Sequence, residues 1–276
     1  ELGNARALRS GKMPMPNPPP APRAFGYQNA GDVLAVGEGV EQFRPGDRVA
    51  CMGGGCALHA TYAVVPQYLC ARLPDAVTYE EGAFAHLAMT SLNAVRRGAP
   101  ELGETVLAVG LGMVGQMAAR LSQLSGASVM GWDMLPTRCR TAMSWALDAV
   151  ARPGTDDLEA TTRAFTRELG FDMAVLTVPG DATAVLQDVR KAMKQSPDHH
   201  EMGRLCMVGG TSQCVWGAGL GNLDLRACSR TGPGYHDDAW ELGETTYPKA
   251  LVRWTTRSNM ELVLRLMAEG KLPVGR

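Results

Sequence analysis

The chain has 276 residues, of which 45% are hydrophobic and 20% are charged, a composition typical of a folded protein with a buried core and not of a disordered chain. Its formal net charge is −1, from 27 basic and 28 acidic side chains, and only 6% of its residues are aromatic. This balance argues against nucleic acid or a membrane surface as a partner. A small-molecule substrate is the partner that we expect.

The number of cysteines and the length of the apolar runs indicate the cell compartment. The seven cysteines are an odd number and lie in apolar stretches, which favours buried thiols in a reducing compartment over a disulfide framework. No apolar run reaches the roughly 20 residues that span a bilayer, and residues 1–22 lack the basic-then-apolar order of a signal peptide. These features predict a cytoplasmic protein. The chain lacks an initiator Met and ends just after a predicted helix, so we expect that terminal segments are missing.

The first third of the chain has the pattern of a β-rich domain. Residues 1–25 are rich in Pro, which predicts an extended arm or loop. Residues 26–82 then alternate short apolar runs with Gly and Pro turns, with strands predicted at residues 48–51 and 60–65 on either side of a Gly53-Gly54-Gly55 turn. This pattern favours a small, partly open β-barrel.

From about residue 80 the pattern changes to alternating helices and strands, which predicts βαβ units and a parallel sheet buried on both faces. Residues 229–258 are irregular. The predicted strands are residues 105–109, 128–132, 173–178 and 205–208. The predicted helices are residues 83–97, 114–125, 158–169, 182–194 and 259–269.

The strongest motif is the run Gly110-Leu111-Gly112-Met113-Val114-Gly115. It follows an apolar strand and opens a helix, which is the context of a dinucleotide-binding G-x-G-x-x-G fingerprint. The first glycine permits a tight turn, the second lets the backbone approach a pyrophosphate, and the third lets the helix pack closely on the sheet. The pyrophosphate would bind the N–H groups at the helix start. The alternative is a glycine turn in another kind of α/β protein.

The acidic residue after the next strand bears on the choice of cofactor. Asp133 can accept hydrogen bonds from both hydroxyls of the adenosine ribose and would repel a 2′-phosphate, so NAD is favoured over NADP. Arg138 and Arg140 follow closely and weaken that preference. Val178 and Gly209 come at the ends of later parallel strands, where ligands bind in open α/β sheets, so we expect them to face the nicotinamide half. The alternative is that Asp133 only caps a helix.

An ordered set of segments resembles the medium-chain dehydrogenase/reductase superfamily. The set comprises GYQNAGDV at residues 26–33, VGEGV at residues 36–40, FRPGDRV at residues 43–49, HATYAVVP at residues 59–66 and the glycine motif. The resemblance covers most of residues 26–228 and implies an α/β fold, with a GroES-like, partly open β-barrel in residues 1–88 and a doubly wound Rossmann sheet in residues 89–276. It implies an active site in the cleft between the domains. It also implies barrel segments before residue 1 and after residue 276.

Within this family, the resemblance points to a zinc-less form. Gly26-Tyr27-Gln28 stands where zinc alcohol dehydrogenases have Gly-His-Glu, so Tyr27 replaces a zinc-binding histidine. His86 looks aligned with the remaining cysteine ligand, and the cysteine-rich structural-zinc lobe is missing. Catalytic zinc needs three protein ligands, so we predict no zinc and no other metal. This form resembles the threonine-dehydrogenase-like branch found in bi-domain oxidoreductases.

The proton that accompanies hydride transfer needs a donor or acceptor at the substrate oxygen. The resemblance places His86 and Tyr27 at the cleft, where His86 could relay a proton and Tyr27 could donate from its phenol. Thr90 would lie near the nicotinamide carboxamide or the substrate. The alternative is that all three are structural. Cys56 and His59 are more simply structural than a metal pair, and residues 235–237 either line the substrate side or pack a surface excursion.

The combined expectation is an NAD-dependent enzyme that transfers a hydride between nicotinamide and an alcohol or ketone carbon of a polar small molecule. Two alternatives stay open: a reductase of an activated carbon–carbon double bond, as in zinc-less quinone or enoyl reductases, and a cofactor-binding protein without turnover. The family also implies a homodimer, with residues 223–228 as the edge strand that pairs.

Overall fold

The computed structural model describes residues 25–209, 211–213, 219 and 221–275. The arm predicted for residues 1–25 lies outside the described residues except for Phe25, and so does Cys214. The described chain divides into two compact units: residues 25–86, 234–268 and 275 form the antiparallel unit, and residues 87–209, 211–213, 219, 221–233 and 269–274 form the parallel unit. The division falls two residues before the predicted boundary, and residues 234–268 group with the first unit and not the second.

The strands that the structure describes are numbered in chain order. They are β1 Gln28–Asp32, β2 Arg48–Met52, β3 Cys70–Arg72, β4 Thr105–Val109, β5 Ser128–Trp132, β6 Ala149–Ala151, β7 Met173–Leu176, β8 Gly180–Asp181, β9 Met202–Val208, β10 Thr211–Gln213 and β11 Asn222–Cys228. The helices are α1 Tyr79–Gly82, α2 Ala85–Gly98, α3 Met113–Leu124, α4 Pro136–Ser144, α5 Leu158–Thr166, α6 Thr183–Ala192, α7 Asp238–Glu241 and α8 Thr256–Ala268. None of these helices is long and apolar enough to cross a membrane.

The antiparallel unit is built on a three-stranded sheet in the order β1-β2-β3. The central strand β2 is the one predicted at residues 48–51, and it carries the buried side chains Val49, Ala50, Cys51 and Met52. On one side it pairs with β1, whose Asn29 lies opposite Cys51, and on the other with β3, whose Cys70 lies opposite the same residue. Cys51 and Cys70 pack with Phe43 and Val49 in the core of this unit.

The predicted strand at residues 60–65 is wrong. In the described structure these residues form bends and irregular chain, and the strand that pairs with β2 lies further on, at Cys70–Arg72. Tyr62 is 76% exposed and Val64 is 92% exposed, so the short apolar run that predicted a strand has no buried face here. Such a run forms a strand only where a neighbouring strand offers backbone partners.

The parallel unit contains a six-stranded parallel sheet in the order β11-β9-β7-β4-β5-β6, with helices that follow its strands. The Rossmann-like architecture that was predicted is therefore confirmed. The predicted strands and helices recur within a few residues of their expected bounds, whereas α4 and β6 were not predicted. Helix α4 is polar and buries only Cys139 and Ala142, so it carries little apolar periodicity.

Burial explains why the central strands form where they do. Four of the five residues of β4 are buried, and β7 is buried along its whole length, as expected for strands covered on both faces. Leu107, Trp132 and Phe171 are among the largest fully buried side chains of this core. Because all six strands run in parallel, the chain leaves β4, β5, β7 and β9 at one edge of the sheet. That edge carries the glycine motif.

Candidate functional site

The glycine motif forms a tight loop between β4 and α3. Gly110 has φ +86°, a left-handed conformation that favours glycine, and its N–H donates to the Trp132 carbonyl at 2.8 Å. A Cβ on Gly115 would lie 1.7 Å from the Gly110 carbonyl oxygen, so only glycine fits at that position of the helix. The Gly110 carbonyl in turn accepts a hydrogen bond from Thr177 Oγ1 at 2.7 Å. The inner side of the loop is therefore closely packed.

The outer side of the same loop is open. Apart from its chain neighbours, no atom of the described residues lies within 4 Å of the place where a Cβ on Gly112 would be. Gly112 is the N-cap of α3, and no side chain in the described part of the chain caps the helix there. The first N–H groups of a helix have no partner within it, and the first turn of α3 holds no acidic residue. Backbone N–H groups of Met113, Val114 and Gly115 are thus available to an anion.

Asp133 lies beside this loop. Its Oδ2 accepts the Leu111 N–H at 2.8 Å, its Oδ1 accepts the Leu135 N–H at 2.8 Å, and Arg138 Nη1 lies 3.3 Å from Oδ2. The residue is 7% exposed. A carboxylate has about four acceptor positions, and these contacts use three of them. The arrangement fixes the carboxylate next to the glycine loop and leaves acceptor capacity for a hydroxyl ligand, while the half-exposed Arg138 adds a positive charge at the same place.

Two further predicted residues lie at the same edge of the parallel sheet. Val178 follows β7, and its Cγ1 would be 3.1 Å from a Cβ on Gly110, so it borders the glycine loop. Gly209 follows β9, is exposed, and donates its N–H to the Cys228 carbonyl at 3.1 Å. Thr177 was missed by the sequence reasoning, although its position directly after β7 places it at the edge where ligands bind.

In the antiparallel unit, the structure brings together an aromatic cluster formed by Tyr27, His86, Tyr235 and His236. The rings of Tyr27 and His86 meet edge to face with centroids 4.7 Å apart, and those of His86 and Tyr235 do so at 5.4 Å. His236 stacks on Tyr235 at 3.9 Å. His86 is 7% exposed. Residues 235–237 are expected either to line the substrate side or to pack a surface excursion, and Tyr235 packs against His86.

Backbone contacts fix the protonation pattern of this cluster. His86 Nδ1 lies 3.2 Å from the Tyr27 carbonyl oxygen. A carbonyl oxygen only accepts, so Nδ1 must carry the hydrogen, and in the neutral ring Nε2 is then the acceptor. The Tyr27 carbonyl also accepts the Gly53 N–H at 2.9 Å, and the Tyr235 hydroxyl accepts the Gly54 N–H at 2.9 Å. The glycine turn after β2 therefore positions both tyrosines around His86.

The remaining candidates lie outside the aromatic cluster and the glycine loop. Thr90 is half-buried on α2, in the parallel unit. The His59 ring packs against Phe25 at 5.4 Å, and Cys56 Sγ lies 3.7 Å from the Met52 carbonyl. Within the described ranges, no three or more His, Cys, Asp or Glu side chains are grouped so that they could hold a metal ion.

Comparison with known proteins agrees with this architecture. Residues 4–75 match the model of the alcohol dehydrogenase GroES-like domain. The chain is 33% identical over 147 residues to the uncharacterized zinc-type alcohol dehydrogenase-like protein YphC of Escherichia coli, and the aligned region covers 42% of each chain. It is 27% identical over 194 residues to human sorbitol dehydrogenase, covering 60% of this chain and 54% of the relative. The chain thus spans about half the length of these curated relatives.

Among solved structures, alcohol dehydrogenase TADH from Thermus sp. ATN1 matches 98% of this chain and 79% of its own, with a TM-score of 0.71 at 21% identity. At that identity the likeness concerns the fold. The fold is an α/β architecture with a Rossmann-like parallel sheet and an antiparallel GroES-like part. The GroES-like match over residues 4–75 and the similarity to sorbitol dehydrogenase agree with the resemblance to medium-chain dehydrogenases/reductases that the sequence segments carry.

Proposed function

We propose that this protein is an NAD-dependent oxidoreductase that transfers a hydride between nicotinamide and an alcohol or ketone carbon of a polar small molecule, without catalytic zinc. The observation that carries the proposal is the geometry of the glycine loop. On the inner side there is no space for a Cβ at Gly115, whereas on the outer side a Cβ at Gly112 would meet no described atom within 4 Å beyond its chain neighbours. A structural turn needs no such opening. The polar substrate class is supported by the similarity to a sorbitol dehydrogenase.

The residues of the parallel unit fit a dinucleotide. The N–H groups at the start of α3 would bind the pyrophosphate, and Asp133 would accept the ribose hydroxyls. Val178 and Gly209 would border the nicotinamide half. The nicotinamide, when bound, supplies the chemistry by accepting or donating the hydride. The preference for NAD over NADP rests on the charge of Asp133, which Arg138 partly offsets.

The proton that accompanies the hydride would be exchanged by His86 or Tyr27. With hydrogen on Nδ1, His86 would use Nε2 to take the proton of an alcohol or return it to a developing alkoxide. The Tyr27 phenol is the second candidate donor, and Thr90 would help to orient the carboxamide or the substrate. The burial of His86 among aromatic rings would exclude water from the imidazole.

Zinc independence rests on the side chains around His86. The rings that contact His86 are those of Tyr27 and Tyr235. A catalytic zinc bound to His86 would need two further nitrogen, sulfur or carboxylate ligands from the protein. Metal analysis of the purified protein by plasma mass spectrometry should show far less than one zinc per chain, before and after incubation with zinc sulfate and desalting. One tightly held zinc per chain would contradict the zinc-less mechanism and leave the cofactor proposal standing.

A spectrophotometric screen tests the reaction class. The protein is incubated with NAD and a panel of polyols, sugars and simple alcohols, and NADH is followed at its near-ultraviolet absorbance; the reverse direction uses NADH and the matching ketones. Alcohol-dependent NADH formation supports the proposal. Enone-dependent loss of NADPH would instead support the double-bond reductase, and saturable cofactor binding with no turnover on any panel would support the binding protein.

We also propose a homodimer that pairs through β11. This strand is the edge of the six-stranded sheet and is mostly exposed, with Leu225 37% accessible. An exposed edge strand offers unpaired backbone groups to a second copy. Sedimentation equilibrium should give twice the chain mass for the wild-type protein. The Leu225→Lys substitution should lower the measured mass toward that of a single chain. A monomeric wild-type protein would refute this assembly.

A further inference from the structure

Two buried cysteines face each other across the sheet of the antiparallel unit. Cys51 on β2 lies directly opposite Cys70 on β3, and their sulfur atoms are 3.6 Å apart. The Leu73 N–H donates to the Arg48 carbonyl at 2.8 Å, which makes that pair a hydrogen-bonded one. Hydrogen-bonded and non-bonded pairs alternate along an antiparallel ladder, so the Cys51–Cys70 pair is non-hydrogen-bonded, the class with the closer side chains.

This register is compatible with a covalent bond between the sulfurs. Non-hydrogen-bonded pairs have Cα atoms about 4.5 Å apart, which falls inside the roughly 4.4–6.8 Å range of disulfides. Closing the sulfur distance from 3.6 Å to the bonded length of about 2.0 Å needs each sulfur to move by about 0.8 Å, which a small rotation of the side chains provides. The backbone pairing of β2 and β3 need not change.

The surroundings favour oxidation by a small molecule. A cavity of about 430 Å³ is lined by both cysteines together with Phe43 and Val65, and its rim includes the 92% exposed Val64. The cysteines themselves are only 7–8% exposed, so an oxidant of the size of hydrogen peroxide can enter where a protein disulfide donor cannot dock.

The charge distribution distinguishes the two thiols. A hydrogen bond from the Cys70 thiol lowers the pKa of Cys51, even though burial raises it. The same hydrogen bond and burial raise the pKa of Cys70. Cys51 is therefore the better nucleophile, and Cys70 is the thiol that can resolve its oxidised form. The guanidinium of Arg257 lies over the Phe43 ring at 5.8 Å, and its charge lowers the pKa of Cys70 by less than the hydrogen bond and burial raise it.

We propose that Cys51 and Cys70 are a redox modification site, in which the two thiols are converted reversibly to an intramolecular disulfide. The Cys51 thiolate attacks hydrogen peroxide, the O–O bond breaks, and Cys51 sulfenic acid and hydroxide form. The Cys70 sulfur then attacks the sulfenic sulfur and water leaves. In sum, two thiols and one hydrogen peroxide give one disulfide and two waters; a dithiol reductant returns the two hydrogens.

Oxidation would cross-link the base of the segment between β2 and β3. That segment begins with Gly53 and Gly54, whose N–H groups hold the Tyr27 carbonyl and the Tyr235 hydroxyl. The disulfide would therefore constrain the glycine turn that positions the aromatic cluster. The redox proposal is independent of the proposed dehydrogenase activity, because it depends only on the two thiols.

The test uses the full chain, reduced and then treated under native conditions with a small excess of hydrogen peroxide. Free thiols are blocked with N-ethylmaleimide in denaturant, and the intact mass is measured. The sequence has no Lys or Arg between Val49 and Arg72, so trypsin leaves Cys51, Cys56 and Cys70 on one peptide. A second digestion with chymotrypsin at Tyr62 and Tyr68 separates Cys51 from Cys70 unless a disulfide joins them.

We expect the oxidised chain to lose two hydrogens, to take up two fewer N-ethylmaleimide groups than the reduced chain, and to yield the Cys51–Cys70 linked fragment, all reversed by dithiothreitol. Cys56→Ser is the matched control on the same segment and should keep the linkage, whereas Cys51→Ala and Cys70→Ala should each abolish it. Full alkylation of Cys51 and Cys70 after treatment, or a linkage through Cys56, overturns the proposal. Because Cys51 and Cys56 share a fragment after this digestion, mapping of the Cys56→Ser protein, which keeps Cys51 and Cys70, distinguishes the two linkages even if an alanine variant fails to fold.

Discussion

The two glycines that frame the start of α3 offer a matched pair of substitutions. Gly112→Ala adds a methyl group on the open side of the loop, and Gly115→Ala adds one on the packed side. The two changes are identical in chemistry and lie three residues apart. If the open side holds a dinucleotide, the first should damage cofactor binding and spare the fold, and the second should damage the fold itself.

The structure indicates how much each substitution should change the free energy of unfolding. Gly112 has φ −69° and ψ −175°, an extended conformation open to alanine, and its added methyl meets no described protein atom within 4 Å. Alanine is a poorer N-cap than glycine but lowers the entropy of the unfolded chain, and these effects of roughly 1 kcal/mol or less oppose each other. Gly115→Ala brings a methyl group to 1.7 Å from a backbone oxygen, and overpacking of this kind costs about 1–3 kcal/mol.

Two assays separate the outcomes. Urea unfolding, followed by the fluorescence of tryptophans that include the buried Trp132, should give Gly112→Ala a free energy of unfolding close to wild type and Gly115→Ala a clear loss. NADH titration should show weaker binding by Gly112→Ala, about 5- to 150-fold if the methyl group costs about 1–3 kcal/mol against the pyrophosphate. Unchanged NADH affinity in a folded Gly112→Ala protein would refute a cofactor at this loop.

Three further outcomes are expected. Asp133→Ala should raise the Kd for NAD more than that for NADP in parallel titrations; equal losses would mean that the carboxylate acts only through its backbone contacts with the glycine loop. Tyr235→Phe removes the acceptor of the exposed Gly54 N–H but keeps the ring, so urea unfolding should show a loss of about 1 kcal/mol or less, and Tyr235→Ala a larger one. Burial raises the pKa of Asp172, but hydrogen bonds from Lys194 and from a backbone N–H outweigh it and hold the pKa below its ordinary value of 3.8. The stabilisation is thus present above pH 3.8 and lost as pH falls further. At pH 6 the Asp172→Asn protein should therefore have a lower free energy of unfolding than wild type. The difference between the two free energies of unfolding should become smaller when unfolding is measured at acid pH.

The parallel sheet was predictable because its signals are local. Residues 106–109 are an unbroken apolar run, and the glycine motif follows at once, so strand, turn and helix start are all encoded within a dozen residues. The strand expected at residues 60–65 shows the limit of such reasoning. Its short apolar run is typical of a strand, but pairing depends on a neighbouring strand that the local sequence does not specify, and β3 forms at Cys70–Arg72 instead.

The candidate site depends still more on long-range contacts. The hydrogen bond from Gly54 to the Tyr235 hydroxyl joins residues 181 positions apart, and residues 229–258 gave only an irregular pattern in the sequence. Tyr235 could therefore be named as a candidate, while its place against His86 could not be derived. The same limit applies to Cys51 and Cys70, whose opposition follows from the β2–β3 register and not from their spacing.

The support of the glycine loop also comes from outside the motif. The sheet order places β7 next to β4, so Thr177, which follows β7, reaches the Gly110 carbonyl at 2.7 Å and the Val109 carbonyl at 3.1 Å. Ser91 Oγ lies 2.9 Å from the Val114 carbonyl and anchors the first turn of α3 in the same way. These contacts are made within the protein and hold the loop from its inner side. A loop fixed from within can keep the Gly112 side open at no cost in reorganisation when an anion binds, because the N–H groups that bind it are already in place.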